Sequence, residues 1–290
     1  MNKNSKNYNR MPKSKGIETA TVYSPMECAK KIKHMVLQES NRQIIDEFLI
    51  IQGMKEKFME ADVSIPNKIV MFGPPGTGKT LTAFYLAHKL NLPLIVVRLD
   101  AIIHSHLGET ASNIRKIFEF AKAATCVLFL DEFDAIARAR DAIDEVKEMA
   151  RVVNTLLQCL DEFQGDSTFI AATNLEEELD NAVWRRFDTR MTYGLPGLAE
   201  LKQFLINLLG ESESSLQVIE QSTPILRGCS FADIEQIILK AKRKVIIEDS
   251  EMSYEKIADA YKAYNPKAQQ GDFEMSSRTT GNEEDQLVWN

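Results

Sequence analysis

Gly73-Pro74-Pro75-Gly76-Thr77-Gly78-Lys79-Thr80 follows an apolar run, Ile69-Val70-Met71-Phe72, and opens a helical pattern, Leu81-Thr82-Ala83-Phe84-Tyr85-Leu86-Ala87. In that strand–loop–helix setting the G-x-x-x-x-G-K-[ST] spacing is the pattern of a phosphate-binding loop. The glycines let the backbone wrap close to phosphate oxygens, with N–H groups directed inward at a helix N-terminus. Lys79 has the charge and reach for β- and γ-phosphates, and Thr80 carries the hydroxyl that such loops place on Mg²⁺. A glycine-rich turn before an ordinary helix would explain the glycines and prolines, but not the Lys-Thr pair at this place. ATP and Mg²⁺ are therefore the expected ligands.

Working outward, four more short apolar runs follow: Leu94–Val97, Cys126–Leu130, Thr168–Ala172 and Met191–Tyr193. Continuous runs of this length suit strands buried on both faces, as in a parallel sheet. Helical patterns lie between them. Ile114, Ile117, Phe118 and Ala121 recur at i, i+3, i+4 and i+7, and Ile143 through Leu160 extend a second apolar stripe. Alternation of strand and helix predicts a helix-flanked parallel sheet. Residues 23–60 read as helical, with Ile44, Ile45, Phe48 and Ile51 on one face and Ser40 as N-cap. After Leu195-Pro196-Gly197 strand-like runs mostly disappear and helices are expected around 198–209, 231–247 and 253–261.

Beyond the loop, Val127–Leu130 ends in Asp131-Glu132, and Phe169–Ala172 ends in Thr173-Asn174. Hydrolysis of ATP needs one acidic group at the metal and one base for the attacking water. Asp131 suits the first role and Glu132 the second, at the carboxyl end of a strand beside the loop. Asn174 is placed to orient the water. Arg185 and Arg186 carry rigid, always-charged guanidinium groups that could stabilise charge developing on a γ-phosphate in a neighbouring subunit.

These residues together resemble an AAA+ ATPase, in pattern the clade of proteolytic, proteasomal, microtubule-severing and membrane-remodelling members. Gly73–Thr80 matches Walker A, Asp131-Glu132-Phe133-Asp134 Walker B and Ala172-Thr173-Asn174 sensor 1. Leu179-Asp180 through Arg185-Arg186-Phe187-Asp188 resembles the second region of homology, and Gly228-Cys229-Ser230 through Asp233-Ile234 the start of a lid helix. The resemblance implies an α/β fold: a P-loop NTPase three-layer αβα domain with a five-stranded parallel sheet, then a small helical lid. The expected organisation is a basic disordered tail at 1–22, the nucleotide-binding domain at 23–195, the lid at 196–264 and a polar tail at 265–290. The nucleotide set is Pro75, Gly76, Thr77, Gly78, Lys79, Thr80, Leu81 and Asp131, with Thr80 and Asp131 on the metal. Glu132, Asn174, Arg185 and Arg186 form the catalytic set. With the arginines acting in trans, the resemblance implies a homo-oligomeric ring, usually a hexamer. His106-Leu107-Gly108 falls where the clade carries its first pore loop, with His106 in the place of the usual aromatic residue. The second pore loop is expected within 137–148.

Composition narrows the partners. The net charge of −7 lacks the basic footprint of a dedicated nucleic-acid binder, although residues 1–16 carry five basic residues and no acid. Apolar stretches fall short of the ~20 residues that span a bilayer. The N-terminus has no apolar core of a secretory signal. The four cysteines are widely spaced with no C-x-x-C pair, as suits core thiols in a reducing cytoplasm. No separate recruiting domain, protease domain, zinc motif or membrane anchor is expected, so target choice would fall to the short ends, the pore or another protein. Leu287-Val288-Trp289 is an apolar tip that could dock a partner. The leading functional expectation is a ring ATPase that remodels, unfolds or disassembles a protein target. A nucleotide-switched regulator of a separately encoded effector, as in bacterial defence operons, is the alternative. A DNA-linked loader is the third, weighed against by the acidic charge and the absence of a helix-turn-helix pattern.

Overall fold

The computed structural model describes residues 20–99, 107–133, 146–174 and 181–264. The basic tail through residue 19, His106, most of the second pore-loop stretch, Leu179-Asp180 and the polar tail with Trp289 lie outside the described residues. The chain divides after Pro196 into two compact units.

In the first unit the order is β1 (Ala20–Tyr23), α1 (Pro25–Lys31), α2 (Glu39–Gly53), α3 (Lys55–Glu60), β2 (Lys68–Phe72), α4 (Lys79–Lys89) and β3 (Leu94–Arg98). There follow α5 (Leu107–Ala123), β4 (Val127–Asp131), α6 (Val146–Asp161), β5 (Thr168–Thr173), α7 (Asn181–Trp184) and β6 (Thr189–Thr192). The six strands form one sheet in the order β1-β3-β4-β5-β2-β6. All neighbours run parallel except β1, which pairs antiparallel with β3 from Ala20↔Val97 to Tyr23↔Leu94.

Successive side chains on a strand point to opposite faces, so a strand apolar throughout must be covered on both. Along β4, Leu128 and Leu130 pack with Ile114, Phe118, Val153 and Leu156 on one side. Val127 and Phe129 pack with Ile45, Phe48, Phe84 and Leu86 on the other. Helices thus cover both faces, and the three-layer αβα expectation holds. The expected five parallel strands all form. The sixth, β1, corrects both the strand count and the assignment of residues 20–22 to a disordered tail. Four residues are too few to show periodicity, and this strand exists because β3 offers an unpaired edge. Tyr23 then packs edge-on to Phe84 of α4, with ring centroids 5.0 Å apart.

Ser40 is not the N-cap of α2. The cap position is Gln38, which makes no side-chain capping bond. Its amide instead donates to the Gly194 carbonyl at 3.2 Å, while Asn41 donates to the Thr192 carbonyl at 2.9 Å. Long-range partners near β6 thus set where this helix begins.

The second unit holds α8 (Leu198–Leu209), α9 (Glu213–Ser222), α10 (Phe231–Ile247) and α11 (Tyr254–Tyr264). Three of these helices match expectation. The fourth, α9, hides in a Ser- and Glu-rich stretch and is capped by Ser212, whose hydroxyl accepts from the Ser215 N–H at 3.2 Å. Ser230 and Asp233 form a reciprocal capping box at the start of α10. Among the described residues no helix is long and apolar enough to cross a membrane.

Phe169 is fully buried and its ring meets those of Phe118, Phe163 and Phe187 at 5.3 to 5.9 Å. Truncating Phe169 to Ala is expected to cost about 3–5 kcal/mol. Ile50→Ala, at a position 61% exposed, should stay within about 0.5 kcal/mol of the parent. Urea unfolding of the two variants measures the contrast, and equal costs would contradict this description of the core.

Candidate active site

β2 delivers the chain to Gly73 at the carboxyl edge of the sheet, and the loop closes at Gly78, the N-cap of α4. Gly73 has φ of 140°, and a Cβ there would lie 2.0 Å from the Tyr193 carbonyl oxygen. Only glycine fits between these two backbones. Gly78 sits at φ of 102° in the left-handed region. Inside the loop, the Thr77 hydroxyl donates to the Pro74 carbonyl at 2.8 Å. Pro75 is exposed, Gly76 and Leu81 are half-buried, and Thr77 is buried.

The Lys79 ammonium donates to the Gly73 and Pro74 carbonyls at 2.7 and 2.8 Å. Burial pushes its pKa down to about 8, with the Asp131 carboxylate acting in the opposite sense. The ammonium is thus parked on neutral carbonyls at the mouth of the loop.

Asp131 ends β4 and joins the loop to the second motif. The Thr80 hydroxyl donates to Asp131 Oδ2 at 3.1 Å, and the Glu132 N–H donates to Oδ1 at 3.0 Å. A hydroxyl and a carboxylate this close are the oxygen donors that a Mg²⁺ ion uses alongside waters and phosphate oxygens, so the residues present fit that ion. Glu132 adopts φ of 55°, an uncommon conformation for a residue with a side chain. The next residue, Phe133, is fully buried, and its N–H donates to the Ala172 carbonyl at 2.8 Å. Anchoring Phe133 leaves Glu132 half-buried at the strand end. Asn174, exposed, follows directly on β5.

The arginine pair does not behave as a pair. Arg186 is held inside its own chain: Nε lies 2.9 Å from Asp161 Oδ1 and Nη2 donates to Oδ2 at 3.0 Å. Arg185 is exposed. The segment carrying them is fastened on both sides. Trp184 packs edge-on to Phe72 with centroids 5.2 Å apart. Asp188 accepts the Asn67 and Lys68 N–H groups, both at 3.0 Å, at the start of β2. Of the pore-loop expectation, Leu107 and Gly108 open α5, while His106 lies outside the described residues.

Three residues that sequence reasoning passed over belong to the neighbourhood. Tyr193, Thr82 and Trp184 all contact the loop or the strand feeding it. Trp184 falls within the stretch that resembles the second region of homology, but no motif marks Tyr193 or Thr82. Their one signal is a polar group lying in or beside an apolar run, which asks for a buried partner.

Residues 69–195 match the family described as ATPase family associated with various cellular activities (AAA). The chain is 44% identical over 205 residues to the uncharacterized AAA family ATPase y4kL of Sinorhizobium fredii, a match covering 69% of this chain and 62% of that one. It is 32% identical over 235 residues to the ATP-dependent zinc metalloprotease FtsH of Lancefieldella parvula, covering 75% of this chain and 36% of the relative. The FtsH of Photobacterium profundum is 35% identical over 222 residues, covering 69% and 31% respectively. The chain therefore spans under two thirds of the first relative and about a third of the others.

The Lys79 pKa sets a pH dependence. A lysine attracts phosphate only when protonated, and this one begins to lose its proton as pH approaches about 8. Affinity for ATP should hold from pH 6.5 to 7.5 (roughly one unit below that pKa) and then fall, approaching about tenfold per pH unit above it, with a proton taken up on binding. Calorimetric titrations in buffers of different ionisation enthalpy check this. A Kd flat to pH 9.5 would contradict it.

Proposed function

Because the chain carries an ATPase domain of the AAA family, we propose that it binds ATP with Mg²⁺ and hydrolyses it at sites shared between subunits of a ring. We further propose a hexameric ring that uses this hydrolysis to remodel, unfold or disassemble a protein target or partner complex, in the cytoplasm. The observation that carries the reading is the convergence of Lys79, Thr80, Asp131 and Glu132 at one strand edge, with Thr80 hydrogen-bonded to Asp131 at 3.1 Å.

Each residue has a stated task. The N–H groups of Gly76 to Thr80 would cradle phosphate oxygens, and Lys79 would exchange its carbonyl partners for β- and γ-phosphate oxygens. Thr80 and Asp131 would hold Mg²⁺, which when bound neutralises charge on the β- and γ-phosphates. Glu132 would take the proton of a water as its oxygen attacks the γ-phosphorus, while the bond to the ADP oxygen breaks. Asn174 would orient that water. Arg185 is the better of the two arginines to reach a neighbouring subunit, since Arg186 is already engaged by Asp161. The relatives named as proteases support a protein target, but the zinc-protease part of that name is not carried over, because these 290 residues contain no H-E-x-x-H.

Glu132→Gln should lower kcat by about 10²–10⁴-fold while leaving ATP binding intact. Arg185→Ala should lower kcat by about 10³-fold or more, and Arg186→Ala by much less. Mixing the Glu132→Gln and Arg185→Ala chains should restore part of the activity, since some interfaces then pair an intact Glu132 with an intact Arg185. Failure of the mixture to exceed either variant alone would rule out the shared site. The Glu132→Gln ring should also retain its target on affinity capture. Replacing His106 and Leu107 with Ala should then abolish target processing while ATPase activity persists; undiminished processing would point to a nucleotide switch instead of threading.

A further inference from the structure

Tyr193 touches one end of the phosphate loop and reaches the other through Thr82, although it lies 120 positions after Gly73 in sequence. Its carbonyl oxygen stands where a Cβ on Gly73 would be, at 2.0 Å. Its N–H donates to the Phe72 carbonyl at 2.8 Å, just before the loop. Its hydroxyl donates to Thr82 Oγ1 at 2.7 Å, and the Thr82 hydroxyl in turn donates to the Gly78 carbonyl at 3.2 Å. The relay is dry: Tyr193 is 3% exposed and Thr82 fully buried.

We propose that Tyr193 is a positioning residue for nucleotide phosphates, fixing the width of the loop through Gly73 at one end and through Thr82 and Gly78 at the other. This rests on the reading of the loop as an ATP site. The physical case is one of preorganisation. Gly76 and Gly78 are free to rotate, and a loop of N–H groups binds an anion well only if those groups already point inward. The Gly78 carbonyl is where the loop becomes α4, so a bond to it orients the peptide whose N–H belongs to Lys79. That carbonyl accepts the Thr82 backbone N–H at 3.0 Å, and the Thr82 hydroxyl adds a second bond at 3.2 Å. The Tyr193 O–H occupies a lone pair of the Thr82 oxygen and turns the Thr82 proton toward Gly78. Burial, which pushes the Tyr193 phenol well above its ordinary pKa, keeps it a donor at every working pH.

The relay also ties the phosphate loop to β6, the strand that leaves the arginine-bearing segment. Trp184, beside Arg185, packs on Phe72 from that same segment. The strand feeding the loop and the segment that carries Arg185 are therefore packed against one another within one chain.

The test measures the Kd for ADP with Mg²⁺ by calorimetry, on the full chain, together with thermal unfolding of each variant. Tyr193→Phe keeps the ring and removes only the donor; its Kd should rise about fivefold, the worth of one net hydrogen bond. Thr82→Val should raise it as much or more, Thr82→Ser should restore the parent value, and adding Thr82→Val to Tyr193→Phe should add little beyond Thr82→Val alone. A merely structural role would lower the unfolding temperature while leaving the Kd of the folded protein within twofold of the parent, and that result overturns the proposal. A parent chain that binds no ADP or ATP would instead overturn the ATPase reading itself.

Discussion

The parallel pairing of β2 with β5 and of β5 with β4 is the constraint on which the candidate site depends. Strands running in one direction bring their carboxyl ends to one edge of the sheet. Phe72 pairs with Thr173 and Leu130 with Ala171, so the phosphate loop, Asp131-Glu132 and Asn174 all begin within a residue or two of the same level. The backbone does this placement. Once register is set by the apolar side chains on both faces, a polar residue needs only to be first after its strand to join the site.

Close approach of backbones sets the second level of organisation. Gly73 lies against Tyr193 with no room for a side chain, and Phe133 is drawn under the sheet by its bond to Ala172. That anchoring leaves Glu132 at φ of 55°, a local cost borne at the position proposed for the base. Lys79 faces the complementary problem of a buried charge. Its bonds to two neutral carbonyls satisfy the ammonium before any phosphate arrives. Phosphate oxygens would then replace neutral acceptors with anionic ones, so the charge is never buried unpaired.

Much of this architecture was legible in the chain. Five strands announced themselves as short apolar runs, although β6 at the sheet edge buries only Met191, and α5 and α6 as stripes of 3.6-residue period. The elements that escaped notice are those whose local signals are weak. β1 is four residues long and owes its existence to an open edge on β3. α9 is polar enough to resemble a loop, and the N-cap of α2 is Gln38 instead of Ser40, with Gln38 and Asn41 binding carbonyls more than 150 positions away. The two arginines are adjacent and chemically identical in sequence. Asp161 on α6 and the Ala182 carbonyl separate an engaged Arg186 from an exposed Arg185.

The sequence by itself determined the chemistry available: a loop of glycines before Lys79-Thr80, two carboxylates after one apolar run, and an amide after another. Those are statements about spacing along the chain, and spacing is enough wherever a group acts through its immediate neighbours. The tertiary structure alone decided the geometry across strands. It placed Thr80 within hydrogen-bond distance of Asp131, pressed Tyr193 against Gly73 and ran its hydroxyl through Thr82 to Gly78. Contacts of that kind join residues many tens of positions apart, and their partners are chosen by sheet register and packing, which no local pattern encodes.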